Sequence, residues 1–262
     1  MAIKKGKFLT GVLGGFVFKK VNGQQVVAKR MAPGTMKQSE ASKLSANTFG
    51  MASTFTSQFK KALGFTRESY VDKGLNNRLT SAMVKILKGS RDSETRKYSF
   101  HEDSFSGLTG FDFNNKSPVA DLLVVPPQLN FKPGLLEVWF PYFSNTPPVM
   151  FPKKSMKCKL TINVTLFRLM DGLMSAVANE QSIVILNEKK VVKQDALTFT
   201  IPDGCLCVAT LFLEYAAAGK NDWRIVNGVN FNPCCILGTR VIPGIYENDY
   251  GRLWNDMIRF DG

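Results

Sequence analysis

Residues Lys157-Cys-Lys-Leu-Thr-Ile-Asn-Val-Thr-Leu-Phe-Arg168 alternate in polarity. Cys158, Leu160, Ile162, Val164 and Leu166 fall on one side of an extended backbone, and Lys159, Thr161, Asn163 and Thr165 on the other. A period of two predicts a half-buried strand. Similar short segments lie at Asp121–Val125, Leu135–Phe140, Ser182–Leu186, Ala196–Ile201, Cys205–Tyr215 and Cys234–Val241. Asn187-Glu188, Pro202-Asp203-Gly204 and Gly219-Lys220-Asn221-Asp222 supply turns between them. No helix-length amphipathic crossover separates these strands, so an antiparallel β-sandwich is expected over 91–242 rather than a parallel sheet. An immunoglobulin-like topology fits, and the missing Cys, Trp, Cys pattern leaves a jelly roll or another Greek key open.

Before residue 90 the period becomes helical. Leu44, Thr48, Met51, Phe55, Phe59 and Leu63 recur at three- and four-residue steps, behind a capping box at Thr35 and Gln38 and ahead of a stop at Gly64. Val71, Leu75, Leu79, Met83, Ile86 and Leu87 repeat the pattern before Gly89, with Thr66 or Ser69 as cap. Gly74 weakens the start of that second helix, at about 1 kcal/mol against Ala. A helical hairpin is therefore expected over 35–90. Over 1–34, Phe16-Val17-Phe18 and Val26-Val27 read as strands joined through Asn22-Gly23, a pair suited to a type I′ turn. A two-stranded ribbon is marginal in water, so its apolar side chains need something to pack on. Residues 243–262 carry Tyr246, Tyr250, Trp254 and Phe260 and read as a tail that docks. The fold class expected is α+β: a β-hairpin, a helical hairpin and a β-sandwich.

Charge is distributed unevenly. Residues 1 to 98 hold 19 Lys and Arg against 5 Asp and Glu, while the rest hold 15 against 16. A polyanion (nucleic acid, an acidic surface or an acidic patch on a neighbouring subunit) is the partner such an asymmetry attracts; a solubilising face is the simpler alternative. Lys4, Lys5, Lys7, Lys19, Lys20, Lys29 and Arg30 are interleaved with Phe8, Phe16 and Phe18, a pattern that can hold a phosphate backbone and stack bases. Nothing in it resembles a recognition helix or a zinc finger. The same ribbon could instead add to a neighbour's open sheet edge through Phe16, Val17, Phe18, Val26 and Val27.

Signals for catalysis are weak. His101 stands alone between Phe100 and Glu102, and is expected in a surface loop. Glu102, Asp103, Asp112 and Asp121 have no spacing that demands a paired-carboxylate site. Gly11-Val-Leu-Gly14-Gly15 lacks the preceding strand and terminal Gly-Lys-Ser or Gly-Lys-Thr of a phosphate loop; its glycines fit a bend or a close backbone approach. Cys158, Cys205, Cys207, Cys234 and Cys235 are odd in number and sit among apolar residues, which predicts buried thiols. Their spacing does not match a metal site, so neither a metal nor any other cofactor is expected. The opening residues lack the unbroken apolar run of a signal peptide, and no stretch is long enough for a membrane helix. A cytoplasmic protein, or one exported by a non-classical route to a cell surface or phage particle, is expected.

Gly11-Val-Leu-Gly14-Gly15-Phe16, then Lys20-Val-Asn-Gly23, Val26-Val27, Lys29-Arg30 and Met36-Lys-Gln-Ser, resemble the start of uncharacterised Bacteroidota proteins. In these a Gly-rich basic ribbon precedes a Thr/Gln-rich helix and a β-rich C-terminal half. The resemblance covers about the first 60 residues, and departs from the family at Gln24-Gln25-Val26-Val27, where an aromatic, Arg-rich strand is expected. It implies a bacterial source and transfers no catalytic residue. The functional expectation is a non-enzymatic structural subunit, a homo-oligomer self-assembling through its ribbon into a filament or a surface or phage-like assembly. The alternative is a nucleic-acid-binding protein.

Overall fold

The structure, a computed structural model, describes residues 2–32, 38–64, 71–141, 147–177, 179–187, 196–219, 222–247 and 251–260. Among the described residues, two α-helices and antiparallel sheets make the chain α+β, as expected. It divides into two compact units, residues 1–46 and 47–262.

The first unit holds a four-stranded meander of β1 (Ile3–Lys5), β2 (Phe8–Leu13), β3 (Phe16–Val21) and β4 (Gln24–Lys29). Asn22 and Gly23 adopt φ of 47° and 82°, so the expected two-residue turn joins β3 to β4. Gly6-Lys7 and Gly14-Gly15 make the two further turns, which doubles the expected hairpin. Gly11, at φ 116°, bends β2: its first half pairs with β1 and its second with β3. The Gln25 side chain imitates a peptide unit there. Its Oε1 accepts from Leu9 N at 2.7 Å, and its Nε2 donates to the Leu9 carbonyl at 3.0 Å and the Lys19 carbonyl at 3.1 Å. Gln25→Ala should speed exchange of the Leu9 amide about tenfold without moving the global melting temperature, checked by hydrogen exchange.

Helix α1 spans Glu40–Ala62. It starts later than the sequence suggested because Ser39, whose Oγ accepts from Ser42 N at 3.2 Å, is its cap. Thr35 lies outside the described residues, as do Thr66 and Ser69. Gly64, at φ 74°, follows its last turn as expected. Helix α2 spans Leu75–Gly89 with Gly74 at its N-cap, so that glycine precedes the helix instead of weakening it. Asp72 organises this start: its carboxylate accepts from Gly74 N at 2.6 Å and Asn115 N at 3.0 Å and pairs with Arg78 at 2.7 Å. Partial burial pushes its pKa up, but the two backbone bonds and the guanidinium outweigh this and hold it below the usual range.

The remaining strands are β5 (Gln128–Lys132), β6 (Leu135–Trp139), β7 (Lys157–Arg168), β8 (Leu173–Ser175), β9 (Asn179–Leu186), β10 (Leu197–Thr200), β11 (Leu206–Ala218), β12 (Trp223–Ile225), β13 (Cys234–Val241) and β14 (Trp254–Asp256). One sheet runs β10-β6-β5; the other centres on the β7–β11 pair, with β9, β8 and β14 beyond β7 and β12 and β13 beyond β11. Asp121–Val125 is not a strand. Val119–Asp121 forms a 3-10 turn and Leu123 makes a single bridge to Val149, because the amides of Asp121, Leu122 and Leu123 turn back onto the Pro118 and Val119 carbonyls instead of a neighbouring strand.

Alternation along β7 and β11 feeds two cores. Cys158, Leu160, Ile162, Val164 and Leu166, with Cys207, Ala209, Leu211 and Leu213, pack with Leu136 and Val138 of β6 and Phe199 of β10. On the opposite side Phe167, Leu206, Val208 and Phe212 pack with Phe55 and Phe59 of the first helix, with Leu63 just past its end, and with Leu79, Met83 and Leu87 of the second. The half-buried strand is thus covered on both faces over much of its length: Asn163 and Thr165 are fully buried. Asn163 Nδ2 donates to the Leu63 carbonyl at 3.4 Å, satisfying a carbonyl at the end of α1, and Thr165 Oγ1 donates to Asn163 Oδ1 at 3.3 Å. The tail docks as expected on its own chain, with Phe260 buried against Phe55, 5.1 Å between ring centres, and Ile258 N bonded to Gln58. Tyr250 lies outside the described residues. Gly204, at φ 71°, leaves room for the tail: a Cβ there would stand 2.7 Å from Tyr246 N.

All five cysteines are buried free thiols, as expected. Cys234 and Cys235 point into different cores, so the adjacent pair cannot act as one chelate. Burial pushes Cys158 and Cys205 up to about 12 and raises Cys207, Cys234 and Cys235 too. Below about pH 8.5 these thiols are protonated in both the folded and unfolded chain. Between there and about pH 12 only the unfolded chain ionises Cys158 and Cys205, so each of the two removes about 1.4 kcal/mol of stability per pH unit. The urea midpoint should fall from pH 8 to pH 10, and fall less in Cys205→Ala.

Candidate assembly surface

None of the described residues of the four-stranded sheet is buried. Leu13, Phe16, Val21, Val26 and Val27 keep 40–55% of their surface exposed, while Val17 and Phe18 are half-buried. The register sorts them by face. Phe18 opposes Val27, and Phe16 opposes both Leu13 and Lys29, so Leu13, Phe16, Phe18 and Val27 share one face. Val17 opposes Val12 and Ala28, and Val26 opposes Lys19, which puts Val17 and Val26 on the other. Three of the five expected contact residues therefore come together and two do not.

The edge of β4 has a defined polarity. Arg30 N donates to the Gly15 carbonyl at 2.7 Å, which makes Gly15 and Arg30 a hydrogen-bonded pair and Phe16–Lys29, Phe18–Val27 and Lys20–Gln25 non-bonded pairs. The backbone N–H and C=O groups of Gln25, Val27 and Lys29 consequently point outward, where the meander has no further strand.

Lys4, Lys5, Lys7, Lys19, Lys20, Lys29 and Arg30 are all exposed. They do not form one basic face: Lys20 and Lys29 share the Phe16 face, Lys19 lies opposite, and Lys7 sits in a turn. Lys7 and Lys20 do converge on Phe8, their Nζ atoms 5.6 and 4.6 Å from its ring centre. Sequence reasoning missed Leu13 and the contact role of Gln25. The Gly6-Lys7 and Gly14-Gly15 pairs would have exposed the first, since each is a two-residue turn between apolar runs; nothing local marks the second.

Elsewhere, His101 is exposed in a turn, and Glu102 is paired with Arg240. Asp112 is half-buried, its pKa raised by burial, and its carboxylate accepts from Val119 N at 2.9 Å. Among the described residues no cluster of His, Cys, Asp and Glu could hold a metal ion, and no helix is long and apolar enough to cross a membrane. No protein-family model matches the chain, nor does any curated protein or solved structure.

Proposed function

We propose that the chain is a non-enzymatic structural subunit that assembles with copies of itself through its N-terminal sheet into a filament or a surface or phage-like particle. The observation that carries this is the exposure of Leu13, Phe16, Val26 and Val27 beside an edge of outward-pointing backbone groups. Burying such side chains gains about 25 cal/mol per Å² of apolar surface, and an added strand satisfies the edge. Residues 2–32 hold seven cations and no carboxylate, so two sheets facing each other repel. The sheet therefore docks on a different surface of its neighbour, a head-to-tail contact that propagates into a polymer. An immunoglobulin-like sandwich arrangement of the two sheets, a bacterial source and placement on a cell surface or phage particle belong to the same proposal. The test is size-exclusion chromatography of the intact chain over a hundredfold concentration range. Growth in size supports assembly; a monomer at the highest concentration sinks it.

The carboxylate-free charge also favours a second reading, a sheet that grips nucleic acid between Lys7, Phe8 and Lys20. Affinity for random DNA or RNA would then fall steeply between 50 and 200 mM salt, by about tenfold or more for a few phosphate contacts. Undetectable binding at low salt removes that reading.

A further inference from the structure

We propose that the open edge of β9 receives the β4 edge of a second copy, so that the N-terminal sheet of one chain extends the central sheet of the next. This contact rests on the assembly reading above and names the surface on which the sheet docks. Asn187 N donates to the Met156 carbonyl at 2.9 Å, one step beyond the Lys157–Leu186 pair. The hydrogen-bonded pairs of β7 and β9 are therefore Cys158–Ile185, Leu160–Ile183, Ile162–Gln181 and Val164–Asn179. The backbone N–H and C=O groups of Glu180, Ser182, Val184 and Leu186 point away from β7, where no strand among the described residues meets them. All four side chains are exposed, Val184 at 50% and Leu186 at 42%.

Among the described residues, the other edges of the larger unit are covered, interrupted or short. Gly110 N donates to the Ile236 carbonyl at 2.8 Å and Phe113 N to the Cys234 carbonyl at 2.9 Å, which covers β13. Pro126-Pro127 and Pro133 flank β5. In β10, which is 4 residues long, the Thr198 carbonyl already accepts from Gln181 Nε2 at 2.6 Å. Strands β12 and β14 have 3 residues each. Strand β9 has 8, with no proline, lysine or bulge to deter pairing. Charge and register select its occupant. Glu180 is the one charged residue of β9, and the N-terminal sheet carries cations and no carboxylate. Antiparallel pairing with Lys29 opposite Glu180 sets Val27 opposite Ser182 and Gln25 opposite Val184. Those three β4 residues are the ones whose backbone groups point outward, and Val27 then lies diagonal to Val184 on one face. Because β4 and β9 are different surfaces, each added copy leaves one of each free and the contact repeats head to tail.

Size-exclusion chromatography of the intact chain and of point variants tests the contact. Val184→Pro removes an outward N–H that β7 does not use, and should raise the concentration needed for assembly about tenfold or more. Glu180→Lys, an exchange at the surface, should raise it about threefold, and adding Lys29→Glu to the same chain should restore it. Val184→Pro mixed with Val27→Pro should stop at a dimer, because the first keeps a working β4 edge and the second a working β9 edge. Unchanged assembly in a cooperatively melting Val184→Pro, or in Glu180→Lys, while deletion of residues 2–32 abolishes it, would overturn this contact and leave the assembly reading standing. An intact chain that stays monomeric would overturn both. If Val184→Pro does not melt cooperatively, the exchange of charge between Glu180 and Lys29 decides alone.

Discussion

Phe55→Ala is expected to destabilise the protein by about 3–5 kcal/mol, the cost of deleting a buried ring whose surroundings cannot collapse onto the space. Phe55 is fully buried, with its ring centre 5.7 Å from that of Phe59, 6.3 Å from Phe105, 6.0 Å from Phe167 and 5.1 Å from Phe260. These rings come from α1, the loop after α2, the central strand β7 and the C-terminal tail. One side chain therefore ties together four separate parts of the chain. At this size the melting temperature should drop by roughly 10 °C, measured by circular dichroism. Phe49→Ala on the same helix is the control. Its ring is 59% exposed, and its loss should cost no more than about 0.5 kcal/mol. Equal costs for the two variants would mean that the helix is not seated as described.

Removal of residues 2–32 should have the opposite profile, abolishing assembly while leaving the fold intact. Both buried cores draw their residues from Ala52 onward, so the deletion takes nothing from either. It removes seven cations and no carboxylate, lowering the formal charge from +13 to +6 and with it the self-repulsion of the chain. The truncated protein should melt within about 2 °C of the intact one and run as a monomer at concentrations where the intact chain forms larger species. Assembly that survives the deletion would place the contact elsewhere. Loss of cooperative unfolding would show that the sheet supports the core.

Strand β7 carries much of its structure in its residue pattern. Its alternation identified the strand and which residues face the β6 core. Burial of Asn163 and Thr165 was not legible, because their polarity suits solvent as well as a helix end that needs a hydrogen-bond donor. At the candidate site, Asn22-Gly23 announced its turn and the strand residues Phe16 to Val27 were recognisable. The bend at Gly11 and the Gln25 bridge to Leu9 join residues sixteen positions apart, and local pattern carries no information at that range.

Local chemistry by itself determined the α+β character, both amphipathic helices, most of the strands of the larger unit, the buried thiols and the concentration of positive charge at the start of the chain. Those properties follow from periodicity and composition, which act between near neighbours. Only the tertiary structure decided that the helices cover the second face of the central sheet, that Cys234 and Cys235 enter separate cores, and that the tail closes over Phe55. Such choices depend on which distant surfaces fill each other's space and satisfy each other's hydrogen bonds, and many chain paths share the same local pattern.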